Sequence, residues 1–244
     1  MQRRQFLVLS GAAALGGCSG IADKLNSNDA FHNALQAPEK LNLAILGAGQ
    51  PLAREYRQSD VSAVFRSNGF MPPSTAAYER WMRDGWYGYR LFVNGLVETP
   101  RSYDLAQLRA KFARVSQITR HDCVEGWSVI GKWTGARLSD VLADARPKAA
   151  AGYVVFHCLD DDGTGALYYE SLSLHQAAHP QALLAYDLND RPVPVENGAP
   201  LRLKVPTQLG YKSAKYINRL EVVAELPGAG GYWEDQGYEW FAGI

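Results

Sequence analysis

The run Arg120-His121-Asp122-Cys123-Val124-Glu125-Gly126-Trp127-Ser128, followed by Trp133-Thr134-Gly135, sets a single cysteine among polar neighbours beside a tryptophan. A thiolate in such a partly enclosed place is a soft ligand for a metal with sulfur-rich coordination. The chain has 3 cysteines, at positions 18, 123 and 158. Cys123 and Cys158 also have an alternative reading, as one disulfide of an exported protein. That pairing would remove the thiolate from any metal, so the two readings exclude each other. Two downstream runs belong with the first. One is Glu196-Asn197-Gly198-Ala199-Pro200-Leu201-Arg202-Leu203; the other is Val205-Pro206 followed by Gly210-Tyr211-Lys212-Ser213-Ala214-Lys215-Tyr216.

Around these runs the pattern is one of short strands with a few short helices. Tyr153 to Phe156 is a buried-strand run, Leu201 to Val205 alternates as a half-buried strand does, and Ile217 to Val223 is another strand. Tyr89 to Glu98 reads as two strand pieces joined through Asn94-Gly95, a hairpin signal. Helical spacing falls on Ala76 to Met82, capped by Ser74 or Thr75, on Leu105 to Phe112, and on Leu138 to Ala145 with Ser139 at or near the cap. Leu172 to Leu184 is a helix or loop broken at His179-Pro180, and Asp187 to Asp190 makes a turn. This order indicates an α+β fold, mostly β, rather than alternating βαβ units. Gly47-Ala48-Gly49 before Pro51 is only a fragment of a dinucleotide loop.

The three runs, in their order, resemble the molybdopterin-binding domain of the sulfite oxidase family. Within it they are most similar to the catalytic subunit type of periplasmic methionine-sulfoxide reductases. Tyr169 to Leu172 and His179 to Tyr186 match in kind, so the resemblance covers about residues 68–223. It implies a molybdenum and molybdopterin cofactor with Cys123 as the protein ligand to the metal. It further implies cofactor contacts from Asn68, Cys158, Asn197, Arg202, Ser213, Ala214 and Lys215. Arg202 can make a forked contact to an anionic group and Lys215 a point-charge contact. Asn197 has an amide that both donates and accepts, and Ser213 and Ala214 would turn backbone amides toward a phosphate. Where the family's reductases have a threonine, this chain has Cys158, a departure that leaves its role open. Glu125 and His121 complete the candidate catalytic set beside Cys123.

Sulfite-oxidising members follow their cysteine with basic residues suited to a dianion. Here Val124-Glu125-Gly126-Trp127-Ser128 puts an acid there, which would repel an anionic substrate. The expected reaction is therefore oxygen-atom transfer from a neutral oxide, a sulfoxide or N-oxide, small or carried on a protein. Sulfite-type oxidation by the same cofactor and a non-catalytic lipoprotein on the same fold are the alternatives. No Cys-x-x-Cys-His haem motif occurs, so the resemblance implies an outside electron donor, a haem- or quinol-linked membrane protein.

The first residues read as targeting rather than fold. Arg3-Arg4, an apolar run and Leu15-Gly16-Gly17-Cys18 have the parts of an export signal over residues 1–17. The twin arginines resemble a twin-arginine signal, and the small residues before Cys18 resemble a lipobox. An ordinary secretory signal and an unlipidated periplasmic product remain open beside that reading. Residues 18–59 then form the lipidated cysteine and a polar tether, and 60–244 the oxidoreductase domain with an aromatic tail. The expected place is the periplasm, anchored to a membrane by lipid. The 25 basic and 25 acidic residues of the chain balance, so no surplus of positive charge points to nucleic acid. A monomer is expected.

Overall fold

Two five-stranded sheets form the domain. The first contains β1 (Leu91–Gly95), β2 (Arg101–Tyr103), β5 (Tyr153–Asp161), β6 (Leu167–Ser173) and β10 (Ile217–Val223), in the spatial order β2-β1-β10-β5-β6. β1 and β10 run parallel, with Phe92 opposite Arg219 and Gly95 opposite Val222; the other pairs are antiparallel. The second sheet is antiparallel throughout. It is built from β3 (Val115–Asp122), β4 (Ser128–Arg137), β7 (Leu183–Leu188) and β8 (Arg191–Pro192) in that order, with β9 (Arg202–Lys204) also paired to β7. The protein is known here from a computed structural model, which describes residues 51–244. The export signal, Cys18, the tether up to residue 50 and the Gly47-Ala48-Gly49 fragment lie outside the described residues.

The core follows from the strand alternation. Leu91 and Val93 of β1, Val154 and Phe156 of β5, and Leu220 and Val222 of β10 are all buried in one cluster. Strand β7 is buried on both faces: Leu184 and Tyr186 enter that cluster, while Leu183, Ala185 and Leu188 join Trp133 in a second. This explains why its sequence is a continuous apolar run. The turn after it is tighter than the sequence suggests. Asp187 and Leu188 are still strand, and Asn189-Asp190, both at positive φ (52° and 62°), make a two-residue hairpin turn.

Among the described residues four short helices pack around the sheets: α1 (Ala76–Arg83), α2 (Leu105–Lys111), α3 (Leu138–Ala145) and α4 (Leu174–Ala177). Thr75 caps α1 by accepting from the Tyr78 amide, as expected, and Asp104 with Gln107 closes a reciprocal cap on α2. α3 differs from the expectation. Its cap position is Arg137, with no side-chain bond, and Ser139 points instead at Asp140. The Leu138 amide is satisfied by the Ala182 carbonyl at the start of the neighbouring strand, so no hydroxyl cap is needed there.

Two further expectations change. Asn94-Gly95 is not a hairpin turn: the strand continues through it and β2 begins only at Arg101. Gly95 has φ +85°, and a Cβ there would lie 2.2 Å from the Val222 carbonyl oxygen. The glycine thus serves close strand contact rather than chain reversal. The domain's contacts also start before Asp60. The Ala53 amide donates to Gln181 Oε1 (2.8 Å), the Tyr56 amide to the Ile118 carbonyl (2.9 Å), and Glu55 bridges Thr119. Part of the expected tether therefore lies along the outer edge of β3.

Candidate active site

The β3–β4 hairpin creates the setting for the cysteine. Asp122 pairs with Ser128, and the five residues between them fold back, the Cys123 amide donating to the Trp127 carbonyl (2.9 Å) and the Gly126 amide to the Cys123 carbonyl (3.0 Å). Cys123 is left 6% exposed, with Asn68 Nδ2 3.8 Å from its Sγ. Burial, with the Glu125 charge, leaves the thiol above its ordinary value, and the Glu125 backbone amide, then Asn68 and Arg66, offset this only in part. The two amides face the sulfur and favour its anionic form. Glu125 itself is exposed and accepts from Trp127 Nε1 (2.8 Å), and it shares one cleft with Cys123 and Asn68.

The cleft encloses about 640 Å³, part of it open to solvent. Ser213, Ala214 and Lys215 form one of its walls, reached through a 3-10 turn at Gly210–Lys212. Behind that wall lies a layer of buried cations. Arg202 and Lys204 were expected on a half-buried strand, yet every residue of β9 is buried, and these two are each 1% exposed. Arg202 Nη1 donates to the Asn197 carbonyl (2.7 Å) and Nη2 to the Ser213 carbonyl (2.9 Å), and its guanidinium lies 5.0 Å from the Trp133 ring. Lys204 Nζ donates to the Arg120 carbonyl (2.9 Å). Lys215 Nζ donates to the Phe70 carbonyl (2.9 Å) and the Glu196 carbonyl (3.4 Å).

None of the three cations forms an ion pair among the described residues. Burial lowers Arg202 to about 10, Lys204 to about 7 and Lys215 to about 8, and the Arg202 charge lowers both lysines further. Buried positive charge held only by carbonyl oxygens is costly without an anion. Asp160, which lines the cleft with Lys215, is raised to about 7 by burial, against the pull of Lys215, and its Oδ1 has no partner. Asn197 is 3% exposed with its Nδ2 unpartnered. An orphaned amide donor beside uncompensated cations is a preformed anion-receiving arrangement.

Four expected residues do not line the cleft: Arg202 and Asn197 are buried behind its wall, and Cys158 and His121 are turned away from it. Cys158, on β5, is 3% exposed in the main core cluster, with Sγ 3.9 Å from the Phe156 carbonyl. Its side chain does not line the cleft; the residue two places on along the same strand, Asp160, does. Both cysteines are free, so the disulfide does not form. His121 is 1% exposed and separated from the cleft by Gly210, where a Cβ would fall 2.6 Å from His121 Nε2. Neither ring nitrogen has a partner, and burial, then the Lys204 and Arg202 charges, hold it neutral. It packs between Phe65 and Trp127 rather than meeting a substrate.

Several functional candidates were not foreseen. Asp160, Phe70, Tyr168, Tyr211, Trp233 and Tyr238 all line the cleft. Lys204 was visible in principle, since it repeats the Arg202 position two residues along β9. The aromatic residues had no such signal, because they meet only through long-range packing.

Residues 79–233 match the family described as the oxidoreductase molybdopterin binding domain. A putative protein-methionine-sulfoxide reductase subunit, YedZ1, of Azospira oryzae is 36% identical over 248 residues, which is 99% of this chain and 87% of that protein. The protein-methionine-sulfoxide reductase catalytic subunit MsrP of Xanthomonas axonopodis pv. citri is 40% identical over 144 residues, 55% of this chain and 45% of that protein. The MsrP of Ralstonia nicotianae is 36% identical over 148 residues, again covering 45% of its length. The alignment thus spans under half of each MsrP relative. Among solved structures, the sulfane dehydrogenase SoxCD from Paracoccus pantotrophus shares the fold, with a TM-score of 0.51 at 24% identity over 56% of this chain and 38% of that one.

Proposed function

The chain belongs to the oxidoreductase molybdopterin-binding family, and from that premise we propose that it reduces a neutral oxide, a sulfoxide in the first place, with Cys123 ligating molybdenum. The residues fit the cofactor. A thiol faced by two N–H donors opens into the same cleft whose far wall is backed by cations without carboxylate partners. That juxtaposition is the observation that carries the reading. Bound molybdopterin supplies two-electron oxygen-atom-transfer chemistry.

The chain's own residues would divide the remaining work. Lys215 would hold the anionic end of the cofactor with the Ser213 and Ala214 backbone around it, while the Arg202 charge and Asn197 Nδ2 would support that end from behind the wall. Asn68 and the Glu125 amide would donate to the Cys123 sulfur once metal binding has made it a thiolate. The charged side chains lining the cleft are Glu125, Asp160 and Lys215, with no arginine among them. Two acids and one base suit a neutral substrate better than a dianion. The overall change takes the oxide, two electrons and two protons to the reduced compound and water. The electrons would come from a haem- or quinol-linked membrane donor. Export by the 1–17 signal and a lipid on Cys18 would keep the enzyme beside that donor in the periplasm. The names of the relatives support protein-bound methionine sulfoxide as substrate.

The test is molybdenum by elemental mass spectrometry on protein from a cofactor-competent host, beside Cys123→Ala. Near-stoichiometric metal is expected in the wild type, with an altered metal spectrum and no measurable sulfoxide turnover in the variant. A wild type with kcat/KM for sulfite above that for sulfoxides would overturn the proposed direction.

A further inference from the structure

Residues 228–244 contain only one 3-10 turn, Glu234–Gln236, yet they are fastened to the domain at several points. Lys212, fully buried, donates to Glu170 on β6 and to Glu234 on this strap, the latter at 2.5 Å. Trp240 Nε1 donates to Ser171 Oγ (2.9 Å), and the Tyr211 hydroxyl to the Glu239 carbonyl (2.6 Å). The Leu209 amide donates to the Ala242 carbonyl (2.9 Å). One ammonium buried between two carboxylates is a costly way to tie down a tail, because all three groups lose water. What it gives in return is a fixed position.

The position it fixes is a wall of the cleft. Trp233 immediately precedes Glu234, and Tyr238 follows four residues later; both line the cleft that holds Cys123. Their rings lie 5.3 Å apart, and Tyr238 packs 5.5 Å from Tyr211, Trp233 6.0 Å from Phe70. Tyr238 and the Glu234 clamp lie beyond the stretch matched by the family, which ends at residue 233.

We propose that Trp233 and Tyr238 are specificity-determining residues, presented by the clamped strap as an aromatic wall that receives the apolar, sulfur-bearing part of a neutral oxide. The inference rests on the oxide-reductase reading above. The methyl and methylene carbons beside the sulfinyl group pack favourably on aromatic faces, and aromatic walls leave the substrate's neutral character as the selected property. Lys212 and Glu234 act through the strap, as positioning residues.

The experiment compares Trp233→Ala, Tyr238→Ala, Lys212→Met and Glu234→Gln with the wild-type holoenzyme. The substrates are a methionine-sulfoxide peptide and trimethylamine N-oxide, with molybdenum measured in each preparation. Tyr238 is 40% exposed, so its truncation leaves the core intact. Expected is a KM for the peptide raised roughly three- to tenfold in Trp233→Ala and Tyr238→Ala, with kcat within about twofold and metal unchanged. The N-oxide KM moves less than about twofold. Glu234→Gln, which removes one charge without cavity formation, gives the same KM pattern and faster hydrogen exchange at 234–244. Unchanged peptide KM in both aromatic variants overturns the proposal. Equal losses on both substrates, or loss of molybdenum from both aromatic variants, assign the strap to structure or cofactor retention and overturn it too. A wild type that reduces neither oxide rejects the oxide-reductase reading itself.

Discussion

His121 shows what a buried, unpartnered imidazole does to a protein's acid response. Its folded pKa lies well below the ordinary value of 6.5, because burial and then Lys204 and Arg202 oppose a second proton. The unfolded chain takes that proton near 6.5, so the neutral ring's contribution is fully present above this pH. It is lost as the pH falls from 6.5 toward the folded value, because only the unfolded chain gains a proton in that window. His121→Phe places a non-titrating ring between Phe65 and Trp127. Denaturation midpoints of wild type and variant should diverge on going from pH 7.5 to 5, the wild type losing up to about 1.4 kcal/mol per pH unit below 6.5. A difference that stays constant across that range would mean that His121 titrates in the fold as it does in the unfolded chain. Gly210 admits the ring at close quarters and lies between it and the cleft.

At the level of elements, the glycine in β1 deserves its own test. Gly95→Ala would press a Cβ against the Val222 carbonyl at a backbone angle that favours glycine. Thermal unfolding should report a loss of roughly 3 kcal/mol, and a variant within about 0.5 kcal/mol of wild type, the size of an ordinary surface change, would show that the β1–β10 contact can relax. The same residue marks how far the sequence could be read. Asn94-Gly95 carries a strong local turn signal, but the partner that uses the glycine, β10, lies far along the chain, and no local pattern contains it. The helices were legible because their causes are local: Thr75 before Tyr78, and Leu138, Val141, Leu142 and Ala145 on one face. The cysteine, Arg202, Ser213 and Lys215 were legible through the ordered runs that contain them. The burial of Arg202 and Lys204 was not, since alternation of apolar and basic residues looks alike whether the polar face meets water or an anion pocket. Cys158 misled for a related reason: strand alternation puts Asp160 on its face two residues on, at the point where the strand reaches the cleft. The Lys212 clamp was invisible, as its carboxylates come from β6 and the strap.

Across the whole molecule the charges balance in number but not in place. The chain has 25 acids and 25 bases, yet Arg202, Lys204 and Lys215 sit together inside without ion pairs among the described residues, which a bound anion would offset. Removal of the cofactor should therefore lower the unfolding midpoint. A ligand present at about a thousandfold over its Kd adds about 4 kcal/mol to the folded state. For a domain of this size that corresponds to roughly 8–16 °C. Calorimetry of loaded and cofactor-free protein checks this, and equal midpoints would remove the anion from the account of those cations. The parallel pairing of β1 with β10 has a consequence in time as well as in space. While the ribosome is still working through the intervening strands, β1 has no neighbour on its inner side, and the centre of its sheet is missing. The Gly210–Tyr216 run is translated just before β10, and Trp233 and Tyr238 follow it, so the central strand and the last walls of the pocket are made in one late stretch of synthesis. A cofactor arriving earlier would find neither.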